Sequence, residues 1–555
     1  MSVLKLENLT NSRFFREDCA TKIVVASSIG IEETCIRATV LQEFTAVGRD
    51  GPPIFRKEFA VRVAYQEQPR LDYTPIGALE LNLNCRDEII PILRALQHIY
   101  VDVALRDKLL DLVGQDVNVD SSADHGREGL DYWSILVLAA VRLGCNLDYD
   151  KLQNLAEEHR SLRCMMGLSD WQEKVNFDWR RIRDNVCLVK PATLVKINQL
   201  VVDAGHVLAP AAIESVRGDS FVVETNIHYP TESSLIGDGL RKIVTLSAEL
   251  AEQHDEPDWR QHQHLLKNVK KIVWKIGQAA RAKGLGADRV KPGYTELLEL
   301  AGSLMARTRR LLETLNCHVE VDAVNWLGTG FSGLKQELQN YLLLTEKVCD
   351  TARRRVLLGE TIPNEEKIFS MFEPHTELIK RGKQPDPIQY GHKVLVIEDG
   401  AGFICAYQVM ADGVLDQDVV IPVMTELQKQ MEGKIQHASF DRGFHTPDNQ
   451  ERLAAIVPHP CIPKKGLTSG RNQHAEATVE FRQARQRHPG VESAIGALQA
   501  GNGQERCRDK SKLGYERYVG LGILGRNLHV LGKLLVAQDD ANCQAAKSKR
   551  KRQAG

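Results

Sequence analysis

Residues 393–410 read KVLVIEDGAGFICAYQVM, and they constrain the fold more than any other segment. Two runs rich in β-branched and aromatic residues flank Asp399-Gly400-Ala401-Gly402, a pattern typical of a β-hairpin. Downstream, the hydrophobic periodicity alternates between helix and strand, which predicts an α/β sheet covered by helices. The predicted helices are 419–431, one from 446, 474–487, 491–500 and 518–536; the predicted strands are 435–440 and 454–462.

Upstream of the hairpin the pattern is mostly helical. Residues 132–143 are apolar all round, which predicts a buried helix, and another helix is predicted after Ala192. Residues 221–229 are β-branched and aromatic and end at Pro230, which predicts a strand. A long helical region is predicted over 246–358.

These changes of pattern divide the chain into six parts. They are a mixed N-terminal region (1–113), a helical region (126–210), the first strand of a core (211–244), a basic helical insertion (245–370), the remainder of the core (371–536) and a basic tail expected to be disordered (537–555).

The composition is that of an ordinary globular protein. Of 555 residues, 43% are hydrophobic and 26% charged, which excludes disordered, collagen-like and coiled-coil chains. The twelve cysteines form no C-x-x-C pair, which argues against a structural zinc site and a disulfide framework and favours a reducing cytoplasm. No signal peptide and no apolar run long enough to span a bilayer is recognised, so we expect a cytoplasmic protein with no membrane contact.

Basic residues are concentrated in one segment of this nearly neutral chain. Lys and Arg total 72 against 73 Asp and Glu, yet residues 260–291 contain nine basic residues and one acid, Asp288. Lys267, Lys271 and Lys275 follow one another at helical spacing. Such a stripe is ordinarily a solvated helix face, but the local excess of positive charge favours contacts with DNA phosphates.

Three carboxylates are candidates for catalysis. Asp219 opens a predicted strand, Asp441 follows the end of another, and Glu492 lies in the first turn of a predicted helix. Strand-end side chains of an α/β sheet project towards ligand crevices. Three carboxylates could hold two divalent ions for phosphodiester chemistry, and oxygen ligands favour Mg²⁺ or Mn²⁺ over zinc. By position alone, such acids are more often helix caps or surface charges.

Four segments resemble the signatures of one family. They are 218–235 (GDSFVVETNIHYPTESSL), 371–383 (MFEPHTELIKRGK), 438–445 (ASFDRGFH) and 488–498 (HPGVESAIGAL), the last followed by Arg506-Cys507, Tyr515, Arg517-Tyr518 and Arg526-Asn527-Leu528-His529. With gaps, the similarity runs from about Gly126 to Gly532. The four segments, taken in this order, are similar to motifs of the DDE-type transposases of bacterial insertion sequences, especially the ISNCY-like group.

The resemblance implies a fold and an activity. The fold would be a ribonuclease-H-like catalytic core with a large helical insertion and a mostly helical N-terminal DNA-binding region. Asp219, Asp441 and Glu492 would form the catalytic, metal-binding triad, holding two Mg²⁺ or Mn²⁺ ions. The enzyme would cleave and join double-stranded DNA at element ends and at a target, as a homo-oligomer, in the bacterial cytoplasm near the nucleoid.

Further residues are expected to contact DNA. Under the resemblance these are Arg442, beside the second aspartate, and Arg485 and His488, which precede Glu492 by seven and four residues. Arg381 and Lys383 either solvate a loop or contact DNA.

Two alternatives to a transposase remain open. One is a ribonuclease-H-fold nuclease that cuts DNA without joining it. The other is a non-catalytic DNA-binding repressor derived from a transposase. The repressor is kept because Gln499 stands where related transposases have a lysine and because residues 501–513 look irregular.

Overall fold

A mixed sheet of seven strands lies at the centre of a mostly helical fold. The computed structural model describes residues 65, 74–118, 129–168, 176–254, 256–282, 287–319, 328–380, 387–464 and 476–554. The strands are β1 (Ser215–Thr225), β2 (Glu377–Lys380), β3 (Ile388–Glu398), β4 (Ile404–Val409), β5 (His437–Phe440), β6 (His459–Cys461) and β7 (Arg506–Cys507). Their order is β2-β3-β1-β5-β6, with β4 also paired to β3 and β7 to β1. The predicted α/β class and the predicted hairpin, β3–β4, are confirmed.

The central strand is β1. Phe221, Val222 and Val223 are consecutive and all buried, as in a strand covered on both faces. β3 runs antiparallel to β1, with Val396 opposite Asp219, whereas β5 runs parallel to it. The last paired residue of β5, Phe440, lies opposite Gly218. The pairing with β5 therefore ends at Gly218, and the edge of β1 is free of β5 from Asp219 onwards.

Helices from both ends of the chain cover this sheet. Most of them contribute to the same hydrophobic cluster as β1 and β3. The N-terminal helices are α1 (Ile89–Val101), α2 (Val103–Val117), α3 (Tyr132–Gly144), α4 (Tyr149–Glu158), α5 (Arg160–Met165), α6 (Trp179–Val186) and α7 (Pro191–Leu208). The predicted buried helix at 132–143 is α3, and the helix predicted after Ala192 is α7.

A group of four helices forms a second hydrophobic cluster, separate from the first. They are α8 (Glu232–Gln253), α9 (His262–Arg281), α10 (Lys291–Val319) and α11 (Gly328–Ala352). Thr231 begins α8 by accepting the N–H of Ser234. The boundary expected at residue 245 falls inside α8, because the packed face of α8 begins at its first turn.

The two ends of this helical group lie together. Glu232 opens α8, and Arg355 follows α11 by three residues. Arg355 Nη2 donates to Glu232 Oε2 at 2.6 Å. The chain therefore enters and leaves this helical group at neighbouring points.

The remaining helices follow β4 along the chain. They are α12 (Asp416–Gln430), α13 (Pro447–Ile456), α14 (Val479–Arg487), α15 (Gly490–Gly501) and α16 (Ser511–Ala554). α14 contacts β5 and β6, and α15 contacts β1 and β3. These contacts bring both helices to the edge of β1 where β5 stops.

Two sequence predictions in this half were wrong. The strand predicted over 454–462 is reduced to β6, because α13, capped by Thr446, continues through Ile456. The tail over 537–555, expected to be disordered, is helical to Ala554 as part of α16. Ala, Gln, Lys and Arg dominate that segment, and all four have high helix propensity.

The last helix packs closely against the N-terminal helices. A Cβ on Gly532 would lie 1.8 Å from the carbonyl oxygen of Pro91, and one on Gly525 would lie 2.6 Å from the backbone of Gly144. By length and composition, Ser511–Ser548 could cross a membrane, but 72% of its most apolar window is buried inside the protein. This is weak evidence for a span, since a core helix has the same composition.

A buried ion pair also joins these regions. Arg142 of α3 donates from Nη2 to Asp509 Oδ1 at 2.6 Å and from Nη1 to Oδ2 at 3.0 Å. The side chains are 1% and 8% exposed. Asp509 lies between β7 and α16, so the pair fixes α3 to the start of the last helix.

A second buried polar chain lies between β2 and β3. Its order is Glu373, His375, His392, Glu377, with contacts of 2.9, 2.8 and 2.6 Å between successive side chains. Ser511 donates its backbone N–H to Glu373 at 2.8 Å, which connects the chain to α16. Each imidazole thus contacts the other imidazole and one carboxylate.

Candidate active site

Asp219 and Asp441 lie side by side at the edge of the sheet. Gly218 is paired with Phe440 in the parallel register of β1 and β5, so the next residues are Asp219 and Asp441. The backbone of Asp441 remains extended. Neighbouring strands are about 4.8 Å apart and equivalent residues face the same side, so both carboxylates project from one face of the sheet.

Glu492 approaches from the helix that packs on this edge. The N–H of His488 donates to Ala484 at 2.9 Å and that of Val491 to His488 at 3.0 Å. Helical backbone therefore continues from α14 into α15 with only a local break at Pro489, which has no N–H to donate. Helical side chains lean towards the N-terminus, so Glu492, in the first turn, leans back towards the break.

Arg217 fixes this helical break against β1. Its Nε donates to Glu398 at 2.6 Å and its Nη1 to the carbonyl oxygen of Arg487 at 3.1 Å. A Cβ on Gly490 would lie 2.1 Å from Arg217 Nη1, so only glycine leaves room for this approach. Arg217 and Asp219 are two residues apart in β1 and share one face.

The pKa of Asp219 reflects its burial and the charges of neighbouring carboxylates. Burial raises it from 3.8 to about 6; the Ser220 N–H opposes this rise, and the carboxylates of Asp441, Asp416 and Glu492 add to it. Like charges nearby disfavour ionisation. The structure therefore brings the three predicted carboxylates within electrostatic reach of one another, together with a fourth, Asp416.

The three predicted carboxylates have the chemistry of a site for hard divalent ions, but they do not all converge to ligand distance. Among the described residues, only His206, Asp399 and Cys405 form a group of three whose ligand atoms all lie within 4.8 Å of one another. Asp441 and Glu492 are exposed side chains at a strand end and a helix start, so their carboxylates are free to rotate inwards. A cation would also relieve the repulsion that raises the pKa of Asp219.

The His206–Asp399–Cys405 group is explained by the hairpin instead. Asp399 Oδ1 accepts the N–H groups of three residues in the turn, 401–403, at 2.8–2.9 Å. Asp399 Oδ2 contacts His206 Nε2 at 2.7 Å. Burial raises the pKa of the Cys405 thiol, which keeps it protonated. The ligand atoms of Asp399 already have protein partners, as in a turn-stabilising network.

Asp416 was not recognised in the sequence. It lies in the first turn of α12; its Oδ1 accepts from Ser220 Oγ at 2.7 Å and its Oδ2 from Lys393 Nζ at 3.0 Å. Ser220 and Lys393 alternate to the face of the sheet opposite Asp219. Both oxygens of Asp416 therefore accept hydrogen bonds from residues on that opposite face, and these contacts stabilise β1 next to Asp219.

His488 lies within electrostatic reach of Asp441 and Glu492, whereas the two arginines are exposed. His488 Nδ1 lies 3.2 Å from Ser439 Oγ. Burial lowers the pKa of His488, against the opposing effect of Asp441 and Glu492. A neutral imidazole can still donate a hydrogen bond to a phosphate, but adds no charge. Both arginines are exposed; Arg485 precedes His488 by three residues, and Arg442 directly follows Asp441.

Three further predicted DNA contacts lie on α9, in the helical group α8–α11. Lys267, Lys271 and Lys275 are exposed along α9, whose opposite face is buried through Val269 and Ile272. Lys275 lies 3.5 Å from Glu296. The helical spacing predicted for these lysines is confirmed. Two further predicted contacts, Arg381 and Lys383, fall outside the described residues.

No family model, no curated protein and no solved structure matches this chain.

Proposed function

We propose that this protein is a DDE-type transposase that cleaves DNA at the ends of an insertion sequence and joins the ends to target DNA. The observation that carries the proposal is the grouping of Asp219, Asp441 and Glu492. They come from distant parts of the chain, yet Asp441 and Glu492 both raise the pKa of Asp219. Their four surrounding segments resemble the family's motifs in the family's order.

The sheet supports a ribonuclease-H-like core. Its five strands β4, β3, β1, β5 and β6 follow one another, antiparallel on one side of β1 and parallel on the other. Asp219 lies on the central strand β1, Asp441 follows the adjacent parallel strand β5, and Glu492 lies on α15, which packs on β1 and β3. The resemblance implies that these three carboxylates form the metal-binding triad of such a core.

The chain's residues would have distinct tasks in the reaction. Asp219, Asp441 and Glu492 would hold Mg²⁺ or Mn²⁺, which when bound activates water or a 3′-hydroxyl and stabilises the leaving oxygen. Arg217 keeps the start of α15 against β1 and so positions Glu492. His488 would donate a hydrogen bond to the DNA backbone, and Arg442 and Arg485 would neutralise phosphates.

The same proposal includes partners and location. Double-stranded element ends and target DNA would be the substrates. A homo-oligomer would hold two ends together in the bacterial cytoplasm. The exposed lysines of α9 would bind the flanking duplex through its phosphates.

The proposal is tested by incubating the protein with end-sequence DNA and magnesium. We expect cleaved ends joined to target DNA. Asp219→Asn, Asp441→Asn and Glu492→Gln should each remove cleavage and keep end binding, because carboxylate charge holds the metal whereas phosphate contacts supply most affinity.

Matched controls are available on neighbouring elements. Glu480 of α14 is exposed and its charge acts on His437, and the backbone carbonyl of Glu505 accepts the N–H of Glu224. Glu480→Gln and Glu505→Gln should cleave at nearly the wild-type rate. Cleavage without joining would favour the nuclease, and binding without cleavage the repressor. An active Glu492→Gln together with an inactive Glu480→Gln would refute the proposed triad.

A further inference from the structure

Two adjoining cavities lie where the helical group α8–α11 meets the sheet. One, of about 430 Å³, is lined by aromatic rings; the other, of about 620 Å³, is lined by basic side chains. Lys367, Ile368, Phe369 and Leu378 line both of them. The two cavities therefore form one concave surface, which we call the insertion groove, with Lys367 at its middle.

The aromatic half of the insertion groove offers an open ring. Tyr229 is 73% exposed and packs edge-on against Tyr390, with ring centroids 5.9 Å apart. Phe369 supports Tyr390 at 5.6 Å. Tyr294 lines the same cavity. A large exposed ring that packs against a second, itself supported ring is preorganised for stacking, since it loses little freedom when a planar ligand binds.

The basic half carries more lysines than protein counter-ions. Lys347, Lys367, Lys380, Lys393 and Lys512 line it, against Glu365, Glu377 and Asp412. Of these five lysines, only Lys393 has a carboxylate of a described residue within 4.0 Å, that of Asp416. Glu377 is already engaged with His392. The other four lysines are available to an anion.

We propose that the insertion groove binds unpaired nucleotides of a nucleic-acid strand. Aromatic rings stack on bases whose faces are free, and a row of lysines follows a phosphate backbone; together they are the means by which single strands are bound without sequence preference. The cavities are of a size for single bases. A base pair within a duplex has no free face to offer Tyr229. The inference goes beyond the proposed catalysis and does not use the three carboxylates.

The test measures binding of the full chain to fluorescein-labelled oligothymidylate, in EDTA, by fluorescence anisotropy. The single strand should bind more tightly than a blunt duplex of the same length. Tyr229→Ala should weaken binding about 5- to 150-fold, the factor that corresponds to 1–3 kcal/mol for one stacked base. Tyr229→Phe retains the ring and should bind like the wild type.

The lysines are tested by the salt dependence of the same affinity. Lys367→Glu, Lys380→Glu and Lys512→Glu combined should lower the slope of log affinity against log salt by about 0.7 for each phosphate that is no longer neutralised. Lys434→Glu, at an exposed lysine that lines neither cavity, is the control and should leave the slope unchanged. Oligouridylate in place of oligothymidylate shows whether RNA or DNA is preferred; binding of either supports the inference.

Three results would overturn it: equal affinity for strand and duplex, wild-type affinity of Tyr229→Ala, or competition by thymidine monophosphate at the concentration at which the strand competes. The last would indicate a free nucleotide as ligand. Failure of the transposase would be recognised separately, since cleavage of end DNA depends on Asp219 and magnesium, whereas strand binding in EDTA depends on Tyr229.

Discussion

At Asp219, burial in the fold opposes the ionisation that metal binding would require. Its carboxyl is partly buried next to Asp416, Asp441 and Glu492, and its pKa is raised to about 6. The folded protein therefore binds this proton more tightly than the unfolded chain does, where the pKa is near 3.8. Above about pH 6, ionised Asp219 destabilises the metal-free fold.

Asp219→Asn should stabilise the metal-free protein. The amide stays neutral, so the free energy of unfolding at about pH 8 should rise by about 1–3 kcal/mol, from 1.36 kcal/mol for each pKa unit. The gain should diminish as the pH falls from 6 towards 4, because wild-type Asp219 then becomes neutral as well. Urea unfolding in EDTA measures both. Equal midpoints at pH 8 would show that burial and the neighbouring carboxylates do not raise the pKa of Asp219.

The sequence predicted a site at Asp219, Asp441 and Glu492 through their family-like surroundings, and in the fold the charges of Asp441 and Glu492 act on Asp219. It did not identify Asp416 or Arg217. Asp416 is an acid in the first turn of a helix, where carboxylates are common because they favour the helix dipole. Arg217 lies before the strand predicted from the sequence, which covers residues 221–229. Their roles depend on register between distant strands, which no local pattern specifies.

At the scale of elements, α9 was the helix best predicted from the sequence, because its apolar and basic stripes alternate with helical period. Changing Lys267, Lys271 and Lys275 together to Glu should weaken binding of end DNA. Each duplex phosphate left without its lysine should lower the slope of log affinity against log salt by about 0.9. An unchanged slope would show that the stripe is a solvated face, as the Lys275–Glu296 contact suggests for its last member.

Glycines in two helices should respond oppositely to alanine. Gly532→Ala should destabilise the protein by about 2–4 kcal/mol, since its Cβ would meet the backbone of Pro91 at 1.8 Å. Gly496→Ala in α15 meets nothing within 4 Å and should stabilise by about 0.4–1 kcal/mol, because alanine reduces the entropy of the unfolded chain. Thermal unfolding compares the two; destabilisation of equal size would contradict the close contact with Pro91.

The strand predicted over 454–462 shows the limit of local patterns. Its Ala, Ile and Val suit either a strand or a buried helix face, and a short apolar run does not distinguish them. The cap at Thr446 and the packing of α13 against α12 favour the helix through Ile456. Only three residues are left for β6.

At the scale of the whole molecule, the N-terminal helices and the last helix form one unit with the sheet. Arg142→Met should destabilise it by about 3–5 kcal/mol, because Asp509 would remain buried without its partner. Arg142→Met with Asp509→Leu should recover most of that stability, since an apolar pair leaves no buried charge. Urea unfolding of the single and double variants gives the coupling energy; additive effects would contradict a direct pair.

Such long-range connections could not be predicted from the sequence. Arg142 lies in a helix that reads as entirely apolar, and Asp509 in a segment that looked irregular. Each residue alone resembles a surface charge. Only the close packing of α3 and α16, permitted by Gly144 and Gly525, makes their pairing necessary.

The ion pair of Glu232 with Arg355 has a consequence for how the chain folds. β1 and β3 are adjacent strands, but residues 226–387 separate them, and closing so long a loop slows the formation of a sheet. The helices α8–α11 have their own hydrophobic cluster, so they can fold as soon as they leave the ribosome. Once folded, with Glu232 and Arg355 in contact, they hold the end of β1 near Arg355, so that residues 356–387 rather than all of 226–387 remain to be closed. The loop to be closed is then shorter, and Glu232→Gln should slow refolding more than it speeds unfolding.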